Sequence, residues 1–106
     1  MMKKLPIACT LTDAEFQQRR SGMLQRIQEQ VQRLKPLDAG YALQFAADEA
    51  VLEDVFRLIR LERQCCAFLQ FELTLEPDHG PVWLSLTGPE GTKAFLENVL
   101  SLPAGS

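Results

Sequence analysis

The apolar positions of the chain switch between two periods. In "KLPIACTL", Leu5, Ile7, Cys9 and Leu11 fall on one side, the two-residue repeat of a short strand. Pro6 suits a strand start or an edge. The spacing then becomes helical: Phe16, Met23, Ile27, Val31 and Leu34 form a stripe with Leu24 beside it. A first helix is predicted over about residues 13–34. Thr12 and Glu15 make a capping box at its start, and the Lys35-Pro36 step stops it. After a turn at residues 38–40, Tyr41, Leu43 and Phe45 mark a second strand. Asp48 then caps a second helix. It carries Leu52, Val55, Phe56, Ile59 and Cys66 on adjoining positions and Leu58, Leu61 and Cys65 in a neighbouring row. Arg57, Arg60 and Gln64 lie on its outer side, with Glu53 spaced to support Arg57.

Past Ala67 the period returns to two. Leu69, Phe71, Leu73 and Leu75 alternate with Phe68, Gln70, Glu72 and Thr74. The turn residues of "EPDHGP" send the chain back antiparallel, with Val82, Leu84 and Leu86 inward and Trp83, Ser85 and Thr87 outward. "TGPEG" opens a last helix whose Phe95, Leu96, Val99 and Leu100 cover the sheet, and "SLPAGS" is a frayed tail. The expected fold is a single α+β domain over residues 1–106. It is a two-layer sandwich of order β-α-β-α-β-β-α, with a mixed four-stranded sheet and helices on one face. Helical crossovers imply parallel pairs, and the hairpin implies an antiparallel one.

Composition narrows the function classes. The 106 residues are 46% hydrophobic and 24% charged, as in a soluble globular domain. A net charge of −3 argues against a broad nucleic-acid footprint. No apolar run approaches the roughly 20 residues of a membrane helix. "MMKKLPIAC" lacks the apolar stretch of a signal peptide. The cytoplasm is therefore the expected compartment, and the odd number of cysteines is expected as thiols rather than a disulfide framework.

Those three cysteines are the candidate chemistry. Cys65 and Cys66 fall in the last turn of the second helix. Neighbours there project about 100° apart, so both face one partner only where the helix frays. Adjacent cysteines are poor disulfide partners, so any disulfide is expected to join Cys9 to Cys65 or Cys66. The helix carboxyl end disfavours a thiolate and favours a cation. That argues against a nucleophile and is compatible with a soft ion such as zinc, copper or mercury. Cys9, Cys65 and Cys66 are the expected metal ligands, with Glu62 and Arg63 as further candidates for orienting the site or anchoring an anion. The competing reading makes the cysteines plain core residues of an interaction protein, a homodimer using a Trp83–Phe68 patch or the open sheet edge. No catalytic set emerges. An enzyme would need Glu62 as base, because His79, the single histidine, sits in a turn. Arg19 and Arg20 read as a solvated helix face, and "TGPEG" has neither the Walker nor the dinucleotide spacing.

Taken together, "LPIACTLT", the acidic residue before the vicinal cysteines with aromatics after them, and "GPVWLSLTGPEG" resemble a group of small bacterial domains. Members occur at the carboxyl end of some MerR-type regulators and as free-standing proteins. The matching positions are Cys9, Glu62, Cys65, Cys66, Phe68 and Phe71. The resemblance implies an association with metal or oxidant response. The chain lacks a MerR-type helix-turn-helix and dimerisation helix, so DNA binding is not implied.

Overall fold

A computed structural model describes residues 13–100. Helix α1 (Ala14–Gln30) is started by Asp13, whose Oδ1 accepts the Phe16 amide at 2.8 Å. The cap is thus one residue later than the expected capping box. Thr12 and the strand expected over residues 5–11 lie outside the described residues.

The helix also ends early. Residues expected in its last turn instead form an edge strand, β1 (Arg33–Leu37). The Gln32 amide already donates to the Gln44 carbonyl at 2.7 Å. Leu34 faces Leu43 across the ladder, so its apolar character serves a sheet face and not a helix stripe. Pro36 is tolerated because β1 is an edge strand, where a missing N–H interrupts no second ladder. Asp38 and Ala39 turn the chain into β2 (Gly40–Phe45). Gly40 is required there: a Cβ would come within 1.8 Å of the Leu86 carbonyl oxygen on a neighbouring strand.

Helix α2 (Glu49–Cys65) begins at Asp48, whose Oδ1 accepts the Ala50 amide at 2.8 Å. Strands β3 (Gln70–Leu75) and β4 (Val82–Thr87) form the expected hairpin, and α3 (Thr92–Val99) follows. The hairpin turn places Asp78 and His79 at φ 59° and 55°, and the Gly80 amide closes it on the Pro77 carbonyl. This is the doubly left-handed geometry that suits a twisted two-stranded ribbon.

Sheet order is β1-β2-β4-β3, and every neighbouring pair is antiparallel. The expected mixed sheet is therefore corrected for the described residues. Strands β2 and β3, joined through α2, do run the same way. However, β4 enters between them and takes the hydrogen bonds of both.

Alternation along the strands puts Tyr41, Leu43, Phe45, Val82, Leu84 and Leu86 on one sheet face. They share a core with Met23, Leu24 and Ile27 of α1, Val55 and Leu58 of α2, and Leu96 of α3. Fully burying a side chain such as Phe45 or Ile27 contributes about 2 kcal/mol as an upper bound. A second, smaller cluster joins Phe16, Cys65, Cys66 and Phe68. Among the described residues, no helix is long and apolar enough to cross a membrane.

Candidate functional site

The second cluster is where α2 ends. Cys65 is the last helical residue and Cys66 is the C-cap, with φ −117° and ψ 78°. That departure from helical geometry releases Cys66 from the angular separation of helix neighbours. Both cysteines are 0% exposed and belong to one cluster. Phe16 on α1 and Phe68 in the turn after α2 close over them. Phe68 meets Phe95 edge-on, ring centroids 5.0 Å apart.

The two sulfurs are in different covalent states. Cys65 is disulfide-bonded, which the expectation of free thiols did not include. Its Sγ also accepts from Gln17 Nε2 at 3.9 Å. Cys66 is a free thiol. Cys9, the expected third ligand, lies outside the described residues.

Around Cys66 stands a buried ion pair. Arg20 Nε and Nη2 donate to Glu62 Oε1 and Oε2 at 3.0 and 3.2 Å, a two-pronged contact. The Cys66 thiol donates to Glu62 Oε2 at 3.0 Å, and Arg20 Nη2 lies 3.7 Å from its sulfur. Burial, then the adjacent Glu62 charge, pushes the Cys66 thiol up to about 12. Arg20 pulls the other way and loses. At neutral pH Cys66 is therefore a protonated donor and not a nucleophile, in keeping with its place at a helix carboxyl end.

Glu62, one of the further candidates, accepts from the Cys66 thiol and is paired with Arg20. Arg63 is exposed in the last turn of α2, outside the cluster. Arg20 is the residue that sequence reasoning missed. Read as part of a solvated face, it is only 9% exposed. The signal was its spacing: four residues after Phe16 and three before Met23, on the apolar stripe itself. Glu62 likewise continues the row Val55, Leu58 and precedes Cys65 by three.

The proposed Trp83–Phe68 patch does not form. Residues 67 and 68 make a turn and the strand starts at Gln70, so Phe68 folds inward instead of standing outward on the sheet. Trp83 stays on the open sheet face with Leu37, Ala42 and Ser85. His79 is exposed in its turn. Glu53 makes no ion pair with Arg57; the two ion pairs among the described residues are Arg20–Glu62 and Arg26–Asp54.

For a soft cation, the converging donors are the Cys66 sulfur and the Glu62 carboxylate. Arg20 already neutralises Glu62, so an arriving cation must displace a guanidinium as well as a proton. Among the described residues, no three His, Cys, Asp or Glu side chains group closely enough to hold a metal ion. Comparison with known proteins returned no match: no family model fits the chain, and no curated protein or solved structure matches it.

Proposed function

We propose that the protein is a thiol-dependent binding module whose capture of a soft ion depends on its redox state. The observation that carries this reading is the pairing of a disulfide-bonded Cys65 with a free thiol at Cys66. The sequence expectation is that a disulfide of this pair is made with Cys9, the third cysteine of the chain. Oxidised, the module offers one protonated thiol held by Glu62. Two-electron reduction by an external dithiol yields two further thiols, with the reductant leaving as its own disulfide. Three thiols form a donor set for zinc, copper(I) or mercury(II), and the bound ion supplies the charge that removes their protons. This agrees with the metal or oxidant response that the MerR-associated resemblance implies. The cytoplasm, with its reducing poise, would hold the module in the ion-binding form.

The test compares the oxidised protein with protein reduced and desalted without oxygen, each titrated with mercury(II) and zinc. Reduced protein should bind one ion, show three alkylatable thiols once unfolded against one for the oxidised form, and melt higher with ion present. Equal ion uptake by both forms, or none by either, would refute the reading.

A second reading has a specific observation behind it. The open sheet face carries Trp83 and Leu37, with Arg33 and Lys35 on β1 at one edge and Glu72 on β3 at the other. Two copies face to face about a dyad along the strands would set the basic edge over the acidic one. A homodimer seen by light scattering and abolished by Trp83→Asp supports it; a monomer at every concentration removes it.

A further inference from the structure

The outward sides of α1 and α2 enclose a groove of about 590 Å3, within the range of small-molecule sites. Its floor is apolar: Phe16, Met23 and Leu61. Its rim carries four of the chain's seven arginines, Arg19 and Arg26 from α1 and Arg57 and Arg60 from α2. Arg26 is tied to Asp54 at 3.0 Å. Arg19, Arg57 and Arg60 make no ion pair among the described residues, on a chain of net charge −3. Like charges gathered without counterions repel one another, and a bound anion relieves that repulsion. Guanidinium groups suit carboxylate, sulfonate and phosphate oxygens through planar, paired hydrogen bonds.

Gly22 adds an independent observation. A glycine inside a helix costs stability relative to alanine. A Cβ at Gly22 would meet nothing within 4 Å, so no neighbour among the described residues requires its smallness. It lines the same groove. A missing side chain there leaves room over the floor and lets a ligand approach the helix backbone.

We infer that the α1–α2 groove binds a small organic anion with an apolar body. The body lies over Gly22 against Phe16, Met23 and Leu61, and the anionic group meets Arg57, Arg60 and Arg19. A docked protein is a poorer occupant. The apolar floor runs only from Phe16 to Met23, about 10 Å of helix, too short for the roughly 800 Å2 per partner of a stable interface.

The test titrates the full-length oxidised protein with anilinonaphthalene sulfonate, following dye fluorescence, and with uncharged phenylnaphthylamine as comparison. The sulfonate should saturate at one per chain and bind at least tenfold more tightly than the neutral dye. Arg57→Gln with Arg60→Gln should weaken it at least tenfold, and so should Gly22→Leu. Lys93→Gln, on α3 away from the groove, should leave it unchanged. The arginine substitutions are on exposed positions and test the groove even where Gly22→Leu perturbs α1. Equal affinity for both dyes, or equal affinity across the variants, overturns the assignment. So does an inert sulfonate alongside tight binding of an acidic helical peptide.

Discussion

Removing either member of the Arg20–Glu62 pair should be far worse than removing both. The side chains are 11% and 5% exposed and meet through contacts of 3.0 and 3.2 Å. At 3 Å and an effective dielectric near 20, their gross attraction is about 5 kcal/mol. Desolvation consumes several kcal/mol per ion, so the intact pair is close to neutral against apolar residues of similar volume. A lone buried charge keeps that desolvation cost without the attraction. Arg20→Met should therefore cost about 3 kcal/mol. Glu62→Met should cost more, about 4 to 5 kcal/mol, because it also strips the Cys66 thiol of its acceptor. The double variant should lie within about 2 kcal/mol of the parent, losing little beyond the thiol's hydrogen bond. Urea unfolding followed by far-ultraviolet circular dichroism, with the disulfide intact, measures all four proteins. Domains of this size hold about 5–15 kcal/mol, so the single variants remain measurable. Single losses below about 1 kcal/mol would mean that the pair behaves as a solvated surface contact. A double loss equal to the sum of the singles would mean that the two groups do not interact, and either result defeats the reasoning.

Two further outcomes follow from single groups. The folded Cys66 thiol is raised from 9.0 to about 12, so its contribution to stability is whole below pH 9 and is lost as pH rises from 9 towards 12. Tyr41, raised by its hydrogen bond to Glu97, titrates in the same direction. The difference between parent and Cys66→Ala isolates the thiol: urea midpoints of the two should converge between about pH 9 and pH 11, and a constant gap would contradict it. In the β3–β4 turn, His79→Gly should stabilise by about 1 kcal/mol by relieving a left-handed backbone, read as a melting temperature a few degrees higher. A lower melting temperature would show that the histidine side chain contributes a contact there.

Where the apolar period was long and unbroken, it located elements correctly. The stripe through Val55 and Leu58 and the alternations around Phe71 and Leu84 became α2, β3 and β4. Leu34 misled because one residue fits either period, and β1 has only five residues, with a proline among them. Strand order was not legible, since helical crossovers fix direction but not adjacency. The cysteine pair and Glu62 were visible as a motif. Arg20 was hidden because an arginine on a helix is ordinarily solvated, and only its place on the stripe distinguished it from Arg19. The split between a bonded Cys65 and a free Cys66 has no sequence signature, because it depends on how α2 terminates in space.

The insertion of β4 between β2 and β3 orders events on the ribosome. As the chain emerges, β2 has β1 on one flank and nothing on the other until residues beyond 80 have been made. Its open flank carries unsatisfied amides and carbonyls next to Tyr41 and Leu43, a template for pairing with a neighbouring nascent chain. A product cut after Leu75 would hold every helix-facing residue of β3 yet have no strand to join it to β2. Such fragments should associate with one another rather than persist as isolated half-domains.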